Sequence, residues 1–476
     1  LNTNGKREPV RRVTAFWHVR LHLLVMACLL SVRGLAGEPG TAGSARWQEA
    51  QAAFHARRYG QAYELLESLK AEGQDTVAVR RLRIRTLAKL GRALDALTEY
   101  EALTRLTRQE EPALLREVAF ACILPLLKDM RVQMRGAGYT ALKETESVEA
   151  IPYLEDGLSD SSGQVRALAA EALGQLEAGR RSPRLKQALQ DQAAYVRKYA
   201  VRALGKTGDP SVISVVEQAL DDEEPMVRVT AAGALAMLNQ SVGWDRLKRS
   251  VTSGNPEERS AALLLMGVLK PPWAYAACES AAGDSQPSVR AAALVCLGEL
   301  GDKKAGVFLV KALRDPLASV RGTALVSLGK LRYREALGEI KRLLNDKNPG
   351  VRADAVAVLL EFQEPFASVA ETVKGLMDDK DPSIRARIAQ SLVKSAGQSA
   401  QDALTALRRL LQDSLPLPRM VAARALGHAH LTRDQAVAIL KEALRDHDEA
   451  VRATAAGALI RWLDGKAGTN LRTRIR

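Results

Sequence analysis

The sequence predicts an all-α protein, an α-α superhelix (solenoid) of eleven tandem helical hairpins preceded by about two hairpins of a different period. Three observations predict it. Hydrophobic residues make up 47% of the 476-residue chain but aromatic residues only 4%, a composition of Ala, Leu and Arg that suits closely packed helices. Arginines recur at fixed steps, and the residues flanking each arginine recur with it. A chain of this length is too long for one ordinary globular unit, whereas a repeat array has no such limit.

Residues 1–36 read as a signal peptide. Lys6, Arg7, Arg11, Arg12 and Arg20 form a basic region, Leu21 to Val32 an apolar run, and Gly34-Leu35-Ala36 a small-residue cleavage site. The run is shorter than the ~20 residues of a membrane span. Cys28 follows a lipoprotein-like box, Val25-Met26-Ala27, but apolar residues continue past it; lipid anchoring there is the minor alternative to plain export. An amphipathic start to the folded domain is another. The formal charge is +14, of which the leader holds +5. The remaining balance near +9 is mild for a chain of this length, and export argues against nucleic acid as the partner.

In residues 45–107, Ala62, Leu66 and Leu69 recur 34 positions later as Ala96, Tyr100 and Leu103, with Gly91 before the second helix. This segment resembles a pair of tetratricopeptide repeats. Thr107 to Pro112 form the joint to the next array.

Residues 112–464 carry the main repeat. Arg135, Arg166, Arg197, Arg228, Arg259, Arg290, Arg321 and Arg352 are each 31 residues apart, and Arg385, Arg419 and Arg452 follow at 33, 34 and 33. Counting from the arginine as zero, leucine stands at +7 and aspartate at −6 in ten of eleven units, and alanine at +3 in nine. Apolar residues at −1, +3, +4 and +7 share one helical face. Pro225, Pro256, Pro287, Pro349 and Pro382 at −3 mark the first turn of a helix. Each unit is therefore two helices, A ending near −7 and B running from −3 past +8. At 8–10 Å per step, eleven hairpins are expected to extend on the order of 100 Å.

The repeated aspartate and arginine each fall at the unfavourable end of a helix dipole. Such a double violation predicts that they pair, within a hairpin or across to the next, as a ladder that fixes stacking. Its members are Asp160, Arg166, Asp191, Arg197, Asp222, Arg228, Asp284, Arg290, Asp315, Arg321, Asp346 and Arg352. A stripe of phosphate-binding arginines is the competing reading. Unit five departs from the pattern, with Ser253 for aspartate and Glu258 for valine.

The run Asp284-Ser285-Gln286-Pro287-Ser288-Val289-Arg290-Ala291-Ala292-Ala293-Leu294-Val295-Cys296-Leu297-Gly298 resembles the HEAT-like repeats named after phycobilisome lyases. The resemblance covers about three quarters of the chain. It implies the fold, but such arrays serve as scaffolds, lyases and nucleic-acid binders alike.

No catalytic or metal-binding pattern stands out. There is no His-Glu pair of the kind used by HEAT-repeat hydroxylases, and His428 and His430 diverge on a helix. No cofactor is expected. Of Cys278 and Cys296, at −12 and +6 of one unit, buried free thiols are the expected state and a disulfide the alternative. The expected function is non-enzymatic: an exported scaffold that binds a protein or peptide partner, with a bilin lyase or other HEAT-repeat enzyme and a nucleic-acid binder as alternatives. Membrane contact is not required. Position +5 lies opposite the apolar face of helix B, and there Leu264, Val295 and Val326 replace the polar or minimal residues of other units, flanked at +2 by Ala261 and Ala292. They are the candidate partner stripe. The competing reading is that helix B is simply more buried in these units. Residues 465–476 form a basic tail.

Overall fold

A computed structural model of the chain describes residues 45–397 and 399–466. The signal-like leader, Cys28 and most of the basic tail lie outside the described residues. Every element among the described residues is helical, and the chain divides into two compact units, residues 1–110 and 111–476.

The first unit holds two helical hairpins, α1 (Ala45–His55) with α2 (Tyr59–Ala71), and α3 (Val77–Lys89) with α4 (Ala93–Thr107). Ala62, Leu66 and Leu69 on α2 and Ala96, Tyr100 and Leu103 on α4 are all buried, so the 34-residue recurrence is a recurrence of core positions. Arg83 is buried too. It donates to Asp75 at 3.0 Å and to Glu99 at 2.6 Å, which joins the start of α3 to the middle of α4.

The second unit is the array. Its second helices are α6 (Val132–Thr145), α8 (Gly163–Gln175), α10 (Ala194–Gly205), α12 (Pro225–Met237), α14 (Pro256–Leu269), α16 (Pro287–Leu300), α18 (Ala318–Leu331), α20 (Pro349–Glu361), α22 (Pro382–Leu392), α24 (Pro416–Leu426) and α26 (Glu449–Leu463). Each follows a first helix that is shorter in every hairpin but the tenth: α5 (Pro112–Ile123), α7 (Ile151–Gly157), α9 (Pro183–Gln187), α11 (Ile213–Gln218), α13 (Ser241–Val251), α15 (Ala274–Ala281), α17 (Gly306–Ala312), α19 (Leu337–Arg342), α21 (Ala370–Met377), α23 (Ser399–Leu410) and α25 (Arg433–Ala443). Second helices start at −3 because proline, wherever present, presets the first turn. Asn255, Asn348 and Asp381 cap the N–H groups just inside.

Each second helix packs on the second helix of the next hairpin, from α6 through to α26. Glycine at +8 permits the close approach. A methyl group on Gly205 would stand 2.5 Å from the Ala234 side chain and 2.7 Å from its Cα, so at this contact the residues at +8 and +6 of neighbouring hairpins must both be small.

The array does not extend as a rod. Helix α26 packs against α6 and α5, bringing the eleventh hairpin onto the first. A methyl group on Gly457 would meet the Ala141 carbonyl oxygen at 2.6 Å. Around this seam Arg131 donates to Glu449 at 2.9 Å and Arg116 to Asp464 at 2.8 Å, while Arg461 pairs with Glu146. The expected length of roughly 100 Å becomes a closed circumference. The diameter between helix axes is then about 32–35 Å for eleven steps of about 9–10 Å. A consistent rotation per hairpin closes the stack, and no single repeat's sequence specifies that rotation. The even-numbered helices, in mutual contact, form the inner ring and the odd-numbered helices stand outside it.

A second expectation is corrected. Cys278 on α15 and Cys296 on α16 form a disulfide, with Cα atoms 6.2 Å apart. Both positions face the seam between the two helices of one hairpin, within the distance a disulfide can span. Cys122 remains a buried free thiol.

Candidate functional site: the rungs and the inner wall of the ring

The repeated arginine and aspartate meet across hairpins, always in the same direction. Arg135 holds Asp160 at 2.7 and 2.9 Å, and Arg166 holds Asp191 at 2.6 and 2.8 Å. Arg197 with Asp222, Arg259 with Asp284, Arg290 with Asp315, Arg321 with Asp346, Arg385 with Asp413 and Arg419 with Asp446 repeat this two-bond geometry. The arginine also turns back on its own hairpin. Its Nη1 donates to the carbonyl of the residue at −6 in all eleven units, as Arg290 does to Asp284 at 3.0 Å.

This geometry removes the dipole conflict. The aspartate stands just past the end of the first helix, in extended backbone, and accepts from the N–H two residues on, as Asp191 does from Ala193 at 2.8 Å. The arginine meanwhile caps carbonyls at the first helix's C-terminal end, where a cation is favoured. Burial pushes the Asp160 carboxyl up, but the Arg135 hydrogen bond and the Ser162 N–H outweigh it and hold the group below the usual carboxylate range. Asp191, Asp222 and Asp315 behave alike.

Two rungs differ. Where Ser253 replaces aspartate, Glu258 at −1 accepts from Arg228 at 2.7 Å. The two departures in that unit are thus one compensated change, legible only once pairing across hairpins is known. Arg352 keeps its carbonyl contacts. Its interface with the next hairpin carries instead a pair between Arg387 and the buried Asp354, at 2.6 and 3.1 Å.

Positions −2, +5 and +9 of the second helices lie opposite their apolar face and line the inner wall, with +2 at the edge where neighbouring helices meet. Much of that wall is charge-paired from hairpin to hairpin. Lys143 bonds Glu171 at 3.0 Å, Lys330 pairs with Glu299, and Lys394 lies 3.5 Å from Glu361. His428 reaches past Gly457 to Glu144 at 3.0 Å. Of the other histidines near it in sequence, His447 contacts Arg419 at 3.1 Å and His430 is exposed. Among the described residues no group of three or more His, Cys, Asp or Glu is placed to hold a metal ion, and no helix is long and apolar enough to cross a membrane.

Hairpins five to seven depart from this pattern. Leu264 is 41% exposed and Val326 is 45% exposed, and Val268, one turn beyond Leu264, is 48% exposed. Val295 between them is half-buried. Ala261 and Ala292 are 5% and 4% exposed, which corrects their expected place as flanks of the stripe: they pack between neighbouring second helices. Val268 takes their place; its +9 position lies on the same face as +5. Hairpin three departs in another way. Its helix α10 presents Tyr195, Lys198, Tyr199 and Arg202, with Lys206 at its C-terminal cap. Among the described residues neither Arg202 nor Lys206 has a salt-bridge partner, and the Lys198 ammonium lies 4.9 Å from the Tyr199 ring centroid.

A family model for HEAT repeats matches residues 182–266, 244–320, 307–392, 340–426 and 369–460, and a second HEAT-repeat model matches residues 150–178. No curated protein matches the chain. Among solved structures, YibA of Escherichia coli is similar at 16% identity and a TM-score of 0.35, covering 56% of this chain and 96% of that one. Human deoxyhypusine hydroxylase, at 23% identity and a TM-score of 0.30, covers 59% and 97%. The CpcE–CpcF complex of phycocyanin lyase from Nostoc, at 21% identity and a TM-score of 0.30, covers 55% and 94%.

Proposed function

Because this chain belongs to the HEAT-repeat proteins, we propose that it is a non-enzymatic scaffold whose protein or peptide partner docks on the inner wall of the array. One observation carries this reading. Leu264, Val268 and Val326 stand open to solvent on α14 and α18, whereas most of the corresponding positions elsewhere hold charged, polar or minimal residues such as Glu171, Gly233, Glu299, Lys330 and Gln390. Apolar side chains grouped on a concave surface mark a binding site more often than chance exposure does. Repeat arrays present surfaces of this kind to extended partners.

The reading extends to the other parts of the chain. The two hairpins of residues 45–107 are read as tetratricopeptide-like and as a second recognition module. Residues 1–36 are read as an export signal, and a Cys278–Cys296 disulfide suits an oxidising compartment.

Leu264→Asp combined with Val326→Asp tests the docking site. Both side chains are too exposed to be core, so helicity is expected to persist and the melting temperature to move by less than ~3 °C. Affinity capture with the wild-type chain and the double variant is then compared. A partner retained by the wild type and missing from the folded variant supports the site. A collapse in melting temperature, or unchanged capture of every partner, overturns it.

A further inference from the structure

We propose that the segment bound on the inner wall is acidic at one end, and that its carboxylates are received by Arg202 on α10 and Lys206 at its C-terminal cap. The inference rests on the docking reading above and specifies the partner's chemistry.

Several observations lead to it. The cations of the inner wall are otherwise matched by acids of neighbouring hairpins: Lys330 by Glu299, Lys394 by Glu361, Arg387 by Asp354 and Arg461 by Glu146. Helix α10 is the exception. Arg202 and Lys206 border a cleft with Glu171, Gly174, Gln175 and Tyr199, and its one acid, Glu171, is already held by Lys143 at 3.0 Å. Burial, followed by the charges of Arg202 and Arg180, holds the Lys206 ammonium below its usual value, so an added anion there would relieve repulsion. Tyr199 supplies an aromatic wall beneath the Lys198 ammonium. This is the composition of a carboxylate site rather than of a solvated face.

The cleft also lies on the path to the apolar stripe. Between α10 and α14 stands only α12, whose inner face is low: Gly233 is buried beneath Leu265, and Met226 and Met237 are the larger side chains. Two helix steps of about 9–10 Å separate α10 from α14. An extended peptide covers that distance in roughly six residues at 3.3 Å each. One chain can therefore place apolar side chains on Leu264 and Val268 and carboxylates on Arg202 and Lys206. A nucleic acid would need cations along its whole track, and the other inner-wall cations named above are paired.

A random-peptide phage library panned on the full chain tests this directly. Enriched peptides are expected to carry Asp or Glu about six residues from an apolar pair, and Arg202→Glu with Lys206→Glu to weaken them at least about tenfold. Arg202→Gln with Lys206→Gln, which removes charge without reversing it, is expected to weaken them less. Enriched peptides that lack acids, or that bind both α10 variants within about twofold of wild type, overturn the inference. If they nevertheless need Leu264 and Val326, the docking site stands without it; if neither set of variants matters, both readings fail. A single-stranded oligonucleotide probe that displaces the peptides, and is itself lost with Arg202→Glu and Lys206→Glu, assigns the cations to nucleic acid and overturns the inference as well.

Discussion

At the scale of the residue, the array is held by an arginine that does two jobs at once. Arg290 caps the end of its own first helix through the Asp284 carbonyl and grips the Asp315 carboxylate of the next hairpin at 2.9 and 3.2 Å. A double-mutant cycle separates these roles. Arg290→Ala and Asp315→Ala each leave a largely buried charge without its partner, costing about 1.5–3 kcal/mol apiece. Together they are expected to cost clearly less than the sum. Asp284→Ala with Arg290→Ala is expected to be near additive, because the Asp284 carboxylate belongs to Arg259 and only its backbone serves Arg290. Chemical denaturation of the three single and two double variants checks this, and strict additivity for Arg290 and Asp315 would rule out the rung. The sequence announced that these residues pair, since a repeated acid and base at unfavourable helix ends demand an explanation. It left open whether they pair within or between hairpins, because periodicity makes the two indistinguishable.

At the scale of the element, the second helices were legible almost to their ends, because proline at −3 and the apolar face bound them from both sides. The role of glycine was less so. Glycine at +8 reads as a helix terminator, yet at Gly205 it is the point where two helices touch. Gly457 makes the strongest test. In an isolated helix Gly→Ala stabilises by about 0.8–1 kcal/mol. Here the added methyl meets the Ala141 carbonyl at 2.6 Å, so Gly457→Ala is expected instead to destabilise by about 1–3 kcal/mol. Thermal melting gives the sign; a gain in stability would mean that α26 does not press on α6. The cysteine pairing is hidden in the sequence for a related reason. Positions −12 and +6 both look like core, and sequence spacing does not show that two core positions face each other.

At the scale of the whole array, closure into a ring is the feature that the sequence did not disclose. Each repeat specifies its neighbour contact, but closure depends on the sum of eleven small rotations, and no single residue encodes a sum. The candidate stripe shows the same division. Its apolar character at +5 was visible in Leu264 and Val326, while the burial of Ala261 and Ala292 and the exposure of Val268 follow from how tightly the second helices crowd together. The seam residues Glu449, Arg461 and Asp464 look like ordinary surface charges until hairpins one and eleven meet. The most direct test of the ring is a distance across that seam. Spin labels at Met130→Cys and His447→Cys, both highly exposed and flanking the Arg131–Glu449 pair at 2.9 Å, are measured by pulsed electron resonance. The closed ring predicts a single narrow distribution at about 20 Å, one helix step plus the reach of the two label side chains. A distribution beyond ~60 Å, as an open array of eleven stacked hairpins requires, would contradict it.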